Sequence, residues 1–328
     1  MKNNGLSGHI FVIGGPTGTG KTDLAISISD LLTKNSRKPS IVNFDSLCFY
    51  KEISIGTAKP SEEQLKMFPH YFIDNATIKN EVNAYDFQLE AKNLIEKKLA
   101  QNEDIVLVGG SAFYLRALLK GMYLETKNDT DDEYLAKSHD EILKKEGITP
   151  FLEYLKNFDQ ESFKLLHPND HYRILRAVEF HKKNGYPLTQ QKKIFENHNP
   201  YDLSQNQFPQ ASFVNFFLDI ERPLHWELLK KRTTKMLQSG LIEEVQFLLS
   251  NGFSGLEKPL QSIGYYETLQ YLRGTIKSKE DLIEAIYIST RQLAKAQRTF
   301  FKKFSPHFKL NPLEQTPFII DKVLSTLN

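Results

Sequence analysis

Cysteine is almost absent. Cys48 is the only one in 328 residues, so no disulfide closes within the chain and no zinc knuckle is built on cysteines. Tryptophan is as scarce: Trp226 stands alone and is assigned to packing. No apolar run approaches the length that crosses a bilayer, and no basic stretch followed by a long apolar one opens the chain. Neither a membrane span nor a secretory signal is expected, and the expected location is cytoplasmic. Charge of one sign is not in excess either, with 42 Lys and Arg against 40 Asp and Glu and a net charge of +2. That balance by itself says nothing about nucleic acid. Hydrophobic residues at 40% and charged ones at 25% describe a soluble globular protein, long enough for one large domain or one domain carrying a second.

What is present is unevenly placed. Residues 285–312 hold six Lys or Arg and no acid, and 164–193 hold seven against two acids. Such local patches contact phosphate backbones even when the net charge is small, or are simply solvated helix faces. Near the N-terminus, Ile10 to Ile13 reads as a buried strand, and Gly15-Pro16-Thr17-Gly18-Thr19-Gly20-Lys21-Thr22 follows, running into a helical pattern to about Leu32. Gly15, Gly20, Lys21 and Thr22 meet the phosphate-loop pattern in its strand–loop–helix setting. Glycines let backbone N–H groups turn inward around phosphate oxygens, and the helix N-terminus adds partial positive charge. Lys21 brings an ammonium and Thr22 a hydroxyl for a Mg²⁺ shell. The motif is strong evidence for a polyphosphate and weak evidence for a reaction.

The surrounding pattern predicts an α/β fold: a P-loop nucleotide-hydrolase-like core with a parallel sheet flanked by helices. Ser40 to Phe44 ends on Asp45-Ser46, where open parallel sheets carry their functional groups. Tyr71 to Asp74 and Ile105 to Val108 read as strands, the latter closed by Gly109-Gly110-Ser111. Ser111 is either a helix N-cap or a ligand-facing hydroxyl. Ala84 to Leu99 and Ala112 to Leu119 read as helices. Between 122 and 200 the periodicity is helical only, which predicts an α-helical insertion between core segments 1–121 and 201–328. Within it Arg173 and Arg176 share a helix face, suited to a diphosphate, a nucleic-acid backbone or plain salt bridges. Phe213 to Ile220 is a further strand, with Arg222 after it. The last long helix has an apolar stripe through Leu282, Ile286, Leu293, Ala296, Phe300 and Phe304. Arg291, Lys295, Arg298 and Lys302 line another face, which suits a polyanion. A monomer is expected.

These segments together resemble the tRNA dimethylallyltransferases, also called tRNA isopentenyltransferases, of bacterial type. The resemblance rests on the phosphate loop, Asp45-Ser46 with Tyr50, Ile55-Gly-Thr-Ala-Lys-Pro60, Val108-Gly-Gly-Ser111 and His167-Pro-Asn-Asp170. It continues through Arg173 to Glu179, Gly240-Leu-Ile-Glu-Glu-Val245, Gln261 to Tyr265 and Thr290 to Lys295, in family order. The resemblance implies transfer of a dimethylallyl group from dimethylallyl diphosphate to N6 of adenosine 37, just 3′ of the anticodon, in tRNAs reading codons that begin with U. It also implies Mg²⁺, with Thr22 as its ligand. Gly15 through Thr22 would then hold the diphosphate, and the catalytic set would be Asp45 as the base with Thr17 and Arg222. tRNA contacts would fall to Asp45, Ser46, Leu47, Cys48, Ser111, Tyr172, Arg173, Arg176, Gln261, Gly264, Arg291, Lys295 and Arg298. Departures include Thr19 where serine is usual, Ser111 where threonine is usual, and Leu228 where an arginine is often found. Other readings are an isopentenyltransferase acting on free AMP, ADP or ATP, a small-molecule kinase, and an RNA-binding protein whose phosphate loop is inactive.

Overall fold

A computed structural model describes residues 8–57, 59–122, 138–139, 141–195 and 199–327. The chain divides into two compact units, 1–121 with 201–328, and 122–200. The first is built on a six-stranded sheet in the order β3-β2-β4-β1-β5-β6, with every pairing parallel. The strands are β1 (His9–Gly14), β2 (Lys38–Asn43), β3 (His70–Tyr71), β4 (Glu103–Gly109), β5 (Ser212–Leu218) and β6 (Phe308–Leu310).

Apolar residues run continuously along the central strands because both faces of the sheet are covered. Side chains alternate between faces. Ile10 and Val12 of β1, with Ile105 and Leu107 of β4, enter one cluster with helices α3 (Ala84–Ala100) and α4 (Ala112–Lys120). Phe11 and Ile13, with Val106, Val108, Val214 and Phe216, enter the other, against α1 (Lys21–Lys34). A third cluster joins Tyr50 and Ile53 to Leu241, Val245, Tyr265, Leu269 and Ile286.

Most of the expected strands and helices are found within a few residues of their bounds. Strand β3 is shorter than the predicted Tyr71 to Asp74, because Phe72 and Asp74 take positive φ (62° and 54°) and leave the ladder. Three elements carry too little pattern to be anticipated: the short helix α2 (Glu62–Met67), strand β6, and the C-terminal helix Thr316–Leu327. The secondary-structure elements of the second unit are all helices among its described residues, with α5 (Thr149–Phe158), α6 (Gln160–Leu165), α7 (His171–Asn184) and α8 (Leu188–Phe195). Within the segment expected to be helical, the polar and acidic residues 125–133 and residues 134–137 lie outside the described residues, while 138–139 and 141–146 are helical.

The sheet sets the site because its strands end together on one edge. Gly14 lies in register with Gly109 on one side and Phe217 on the other, and Asn43 with Val108. Gly15 has φ 143°, and a Cβ there would lie 2.4 Å from the Leu218 carbonyl oxygen. Backbone cannot withdraw as a flexible side chain can, so only glycine fits. We expect Gly15→Ala to lower stability by roughly 2–4 kcal/mol, seen as a lower urea midpoint. An unchanged midpoint would show that β1 and β5 tolerate separation at this point.

Candidate active site

A cavity of about 790 Å³ opens at the carboxyl edge of the sheet. Thr17, Gly18, Thr19, Gly20, Lys21 and Thr22 line it, with Asp45, Cys48, Thr57, Lys59, Leu228 and Arg232. Gly15 and Pro16 are buried beneath. Helix α1 starts at Lys21, so its unpaired N–H groups face the same space, the arrangement that favours an anion. Gly20 and Gly18 take φ of 78° and 77°. The Thr19 hydroxyl and the Lys21 ammonium both donate to the Pro16 carbonyl, at 2.9 and 2.8 Å. Burial pulls the Lys21 ammonium down to about 8, with Asp45 opposing the shift.

Asp45 follows β2 and is fixed by its neighbours. The Asn43 side chain accepts the Asp45 N–H at 3.1 Å and donates to its carbonyl at 3.0 Å. The Gly110 N–H donates to the Asp45 carboxylate at 3.3 Å. A Cβ on Gly109 would lie 2.8 Å from the Asp45 nitrogen, and one on Gly110 would lie 3.2 Å from its Oδ2. The Gly-Gly pair therefore lets β4 approach Asp45, and a side chain at either position would displace the carboxylate. Ser111 leads into α4 but makes no side-chain cap. Its hydroxyl instead accepts the Ser46 N–H at 3.3 Å, joining the ends of β2 and β4. Cys48 is buried, and its thiol is pushed up by burial and by Asp45, so it is a poor nucleophile. Leu47 packs on the third apolar cluster.

The Ile55 to Pro60 stretch is anchored from far along the chain. The Glu244 carboxylate accepts the Ser54 and Ile55 N–H groups, each at 3.0 Å. Gly56 donates to the Tyr265 hydroxyl, which donates to Glu244. Glu244 belongs to α10 (Leu241–Ser250) and Tyr265 begins α11 (Tyr265–Leu272). Lys59 donates to the Tyr50 carbonyl and to Asp74, which holds its ammonium at the cavity wall. Of the turn before α11, Gln261 is exposed and donates to the Gly255 carbonyl. Gly264 is buried, and its N–H is taken by Glu267.

Two arginines depart from expectation. Arg222 begins α9 (Arg222–Gln238), is exposed, and faces a separate hollow with Asp219, Lys302 and Lys309 instead of the phosphate loop. The arginine that lines the cavity is Arg232, ten residues along the same helix. Burial pulls it below the usual arginine range and Asp45 opposes. Arg298 belongs to no exposed basic stripe. In α12 (Lys279–Phe301) the buried face runs through Leu282, Ile286, Ala294, Arg298 and Phe301, while Leu293 and Ala296 are exposed. Arg298 is tolerated inside because Asp219 accepts from its Nε and the Ile220 carbonyl from its Nη2. Beside it, Gln297 bridges two loops: its Oε1 accepts the Thr17 N–H at 2.9 Å and its Nε2 donates to the Gly110 carbonyl at 3.0 Å. No sequence signal distinguishes Gln297 from any other helical glutamine.

The remaining candidates divide between the two units. Lys295 is exposed, and Arg291 sits over the Trp226 ring at 4.9 Å. In the helical unit Tyr172 and Arg173 are exposed on α7, and Arg176 is half-buried on the same helix, beside Glu179. Arg173 pairs with Asp170 at 3.2 Å.

A phosphate loop, a fixed carboxylate and four cations, Lys21, Lys59, Arg232 and Lys235, line one cavity, an arrangement suited to group transfer from a polyphosphate. Residues 48–304 match the family described as IPP transferase. The chain is 36% identical over 297 residues to tRNA dimethylallyltransferase 1 of Trichlorobacter lovleyi, covering 90% of each. It is 30% identical to the tRNA dimethylallyltransferase of Staphylococcus epidermidis, covering 97% of this chain and 92% of that one. The solved tRNA delta(2)-isopentenylpyrophosphate transferase of that organism superposes with a TM-score of 0.66 at 30% identity, covering 98% and 99% of the two chains. A eukaryotic dimethylallyltransferase acting on tRNA shares the fold, with a TM-score of 0.71 at 23% identity over 97% of this chain and 80% of that one. The chain belongs to the IPP transferase family, as a bacterial-type tRNA dimethylallyltransferase.

The lowered Lys21 pKa gives the site a pH dependence. Below about 8 the ammonium is charged and able to hold a diphosphate. Above it the free site loses that proton, and an anion can bind with Lys21 charged only if a proton is taken up. Affinity for an alkyl diphosphate should therefore be flat up to about pH 8 and fall above it, by up to about tenfold per unit. Calorimetry in buffers of differing ionisation heat should show proton uptake on that limb. Constant affinity through pH 10 would show that the free Lys21 keeps its proton to that pH, and an unchanged affinity in Lys21→Met would remove it as a diphosphate ligand.

Proposed function

We propose that the chain transfers the dimethylallyl group of dimethylallyl diphosphate to N6 of adenosine 37 in tRNAs reading codons that begin with U, releasing diphosphate. The observation that carries this reading is the single cavity in which Asp45 lies with Thr17–Thr22, Lys21 and Arg232. On this reading the phosphate in the loop is a substrate's leaving group and not a fuel. The residues lining the cavity all belong to one compact unit, and a monomer is the working form of this reading. Among the described residues no helix is long and apolar enough to cross a membrane, which agrees with a cytoplasmic enzyme.

The exocyclic amine is a weak nucleophile because its lone pair is delocalised into the ring. As N6 bonds to the allylic carbon, the carbon–oxygen bond breaks and its electrons leave with the diphosphate. The N6 proton passes to Asp45, whose backbone is pinned by Asn43 and whose carboxylate is steadied by the Gly110 N–H. Charge gathers on the departing oxygens, where Lys21 and Arg232 face it. Arg232 takes here the part that the resemblance gave to Arg222. Thr17 orients the diphosphate oxygens. The Thr22 hydroxyl, on the same wall, would hold a Mg²⁺, which when bound would supply further charge neutralisation. The adenosine must leave its stack to reach this carboxylate, which costs a few kcal/mol at most in a single-stranded loop. Arg173 and Arg176 supply phosphate contacts from the helical unit, and Lys295 from α12.

The test is to incubate the protein with Mg²⁺, dimethylallyl diphosphate and an unmodified anticodon stem-loop, with AMP and ATP as parallel acceptors, and to weigh the products. One dimethylallyl group on the loop, lost when the target adenosine is changed, is the expected result. Addition to AMP or ATP alone would replace the acceptor, and binding without transfer would leave an RNA-binding protein. Asp45→Asn should lower the transfer rate on the order of a hundredfold or more while stem-loop binding is largely kept. Weakened binding at an unchanged rate would remove Asp45 from the base role. Arg173→Ala and Arg176→Ala should each weaken tRNA binding and reduce its salt slope by about one. A defect confined to the diphosphate donor would move them away from RNA.

A further inference from the structure

Both backbone polar atoms of Thr17 are held from the last third of the chain. Its N–H donates to Gln297, and its carbonyl accepts from His225 Nε2 at 2.8 Å. His225 is wholly buried in α9 and does not line the cavity, so it touches no substrate. Its protonation state follows from its partners. A carbonyl oxygen only accepts, so Nε2 carries the hydrogen. A guanidinium only donates, so His225 Nδ1, 2.6 Å from Arg298 Nη2, is the bare nitrogen. The ring is therefore neutral and in one tautomer. Burial lowers its pKa and the Arg298 charge adds to that, while the Thr17 carbonyl opposes. Arg298 is held in turn by Asp219 and the Ile220 carbonyl, and Lys309 braces Asp219 at 3.1 Å.

The loop is pressed against this group as well as bonded to it. A Cβ on Gly18 would lie 2.6 Å from Leu229 Cδ2 and 3.6 Å from His225 Nε2. Arg298 Nη1 has no hydrogen-bond partner among the described residues, so the chain already carries one open end, and breaking a link leaves a further buried polar group unpaired at a cost above apolar packing. Here the chain ends on the backbone carbonyl of Thr17, a residue of the phosphate loop that itself lines the cavity.

We propose that His225 is a positioning residue for the transfer: its Nε2–H fixes the Thr17 carbonyl, and with it the direction in which the Thr17 hydroxyl enters the cavity. Arg298 and Asp219 hold the ring in the tautomer that can do this. The role rests on the reading that Thr17 orients the diphosphate. The requirement is a neutral side chain that donates at one end and accepts at the other. Glutamine meets it, with an amide N–H for Thr17 and a carbonyl for Arg298. Leucine fills similar space and meets neither need.

The test compares the full-length protein with His225→Leu and His225→Gln. One readout is steady-state transfer from dimethylallyl diphosphate to an anticodon stem-loop. The other is amide hydrogen exchange over residues 14–20, which needs no reaction. His225→Leu should lower kcat on the order of tenfold or more, leave the stem-loop KM nearly unchanged, and speed exchange across the loop. His225→Gln should recover most of both. If His225→Leu does not fold, His225→Asn serves in its place, since its side chain is one methylene shorter than that of glutamine and does not reach Thr17 and Arg298 together, and the same losses are expected. Wild-type kcat and loop exchange in His225→Leu, or equal impairment in His225→Leu and His225→Gln, would overturn the proposal. Should the wild-type protein transfer nothing, the function reading fails on its own, and loop exchange still decides whether His225 holds the loop.

Discussion

The contact between the start of the phosphate loop and the end of β5 is the constraint on which the rest is arranged. Gly15 lies against the Leu218 carbonyl with no room for a side chain, so the loop can turn only where a strand partner ends. Parallel pairing on both sides of β1 then fixes everything that follows. Asp45 leaves β2, Gly109-Gly110 leaves β4, and Asp219 leaves β5 at the same edge. An antiparallel neighbour would bring a strand's amino end to this edge and break the gathering of groups.

Around that edge the protein places cations without partners of equal strength. Lys21 and Arg232 are both pulled down by burial, and Asp45 is the acid that acts on each. The lining carries Lys21, Lys59, Arg232 and Lys235 against Asp23 and Asp45, an excess of positive charge that suits an anion before any substrate arrives. This is preorganisation in the electrostatic sense: the cost of burying the charges is met in folding and not during the reaction. Cys48 in the same wall adds no competing chemistry, because its thiol stays protonated.

Much of this was legible in the sequence, and the misses have physical causes. The phosphate loop, Asp45, the Gly-Gly pair and the helical segment 122–200 were readable because each rests on local pattern: glycines at fixed spacing, a strand ending on an acid, a change of period. Arg298 was misassigned because a three- and four-residue step fits two adjacent helix faces equally well. Which face is buried depends on whether an Asp219 waits to receive the charge. Arg222 and Arg232 lie on one helix, and only packing of α9 against the loop decides which of them enters the cavity. Asn43, Gln297 and His225 gave no signal at all. Gln297 and His225 act on backbone atoms distant in sequence and Asn43 on the backbone of Asp45 two residues on, and nothing in composition or period marks such bonds.

The span of those bonds has a consequence for the order in which the molecule is made. The phosphate loop lies at residues 15–22, yet Thr17 is fastened by residues 225 and 297, and β1 finds its β5 partner only at 212–217. On a ribosome the central strand and its loop emerge first and wait for most of the chain to follow. Contacts of such wide sequence separation form late and slowly. The nascent chain therefore carries the motif long before it carries the residues that fasten it.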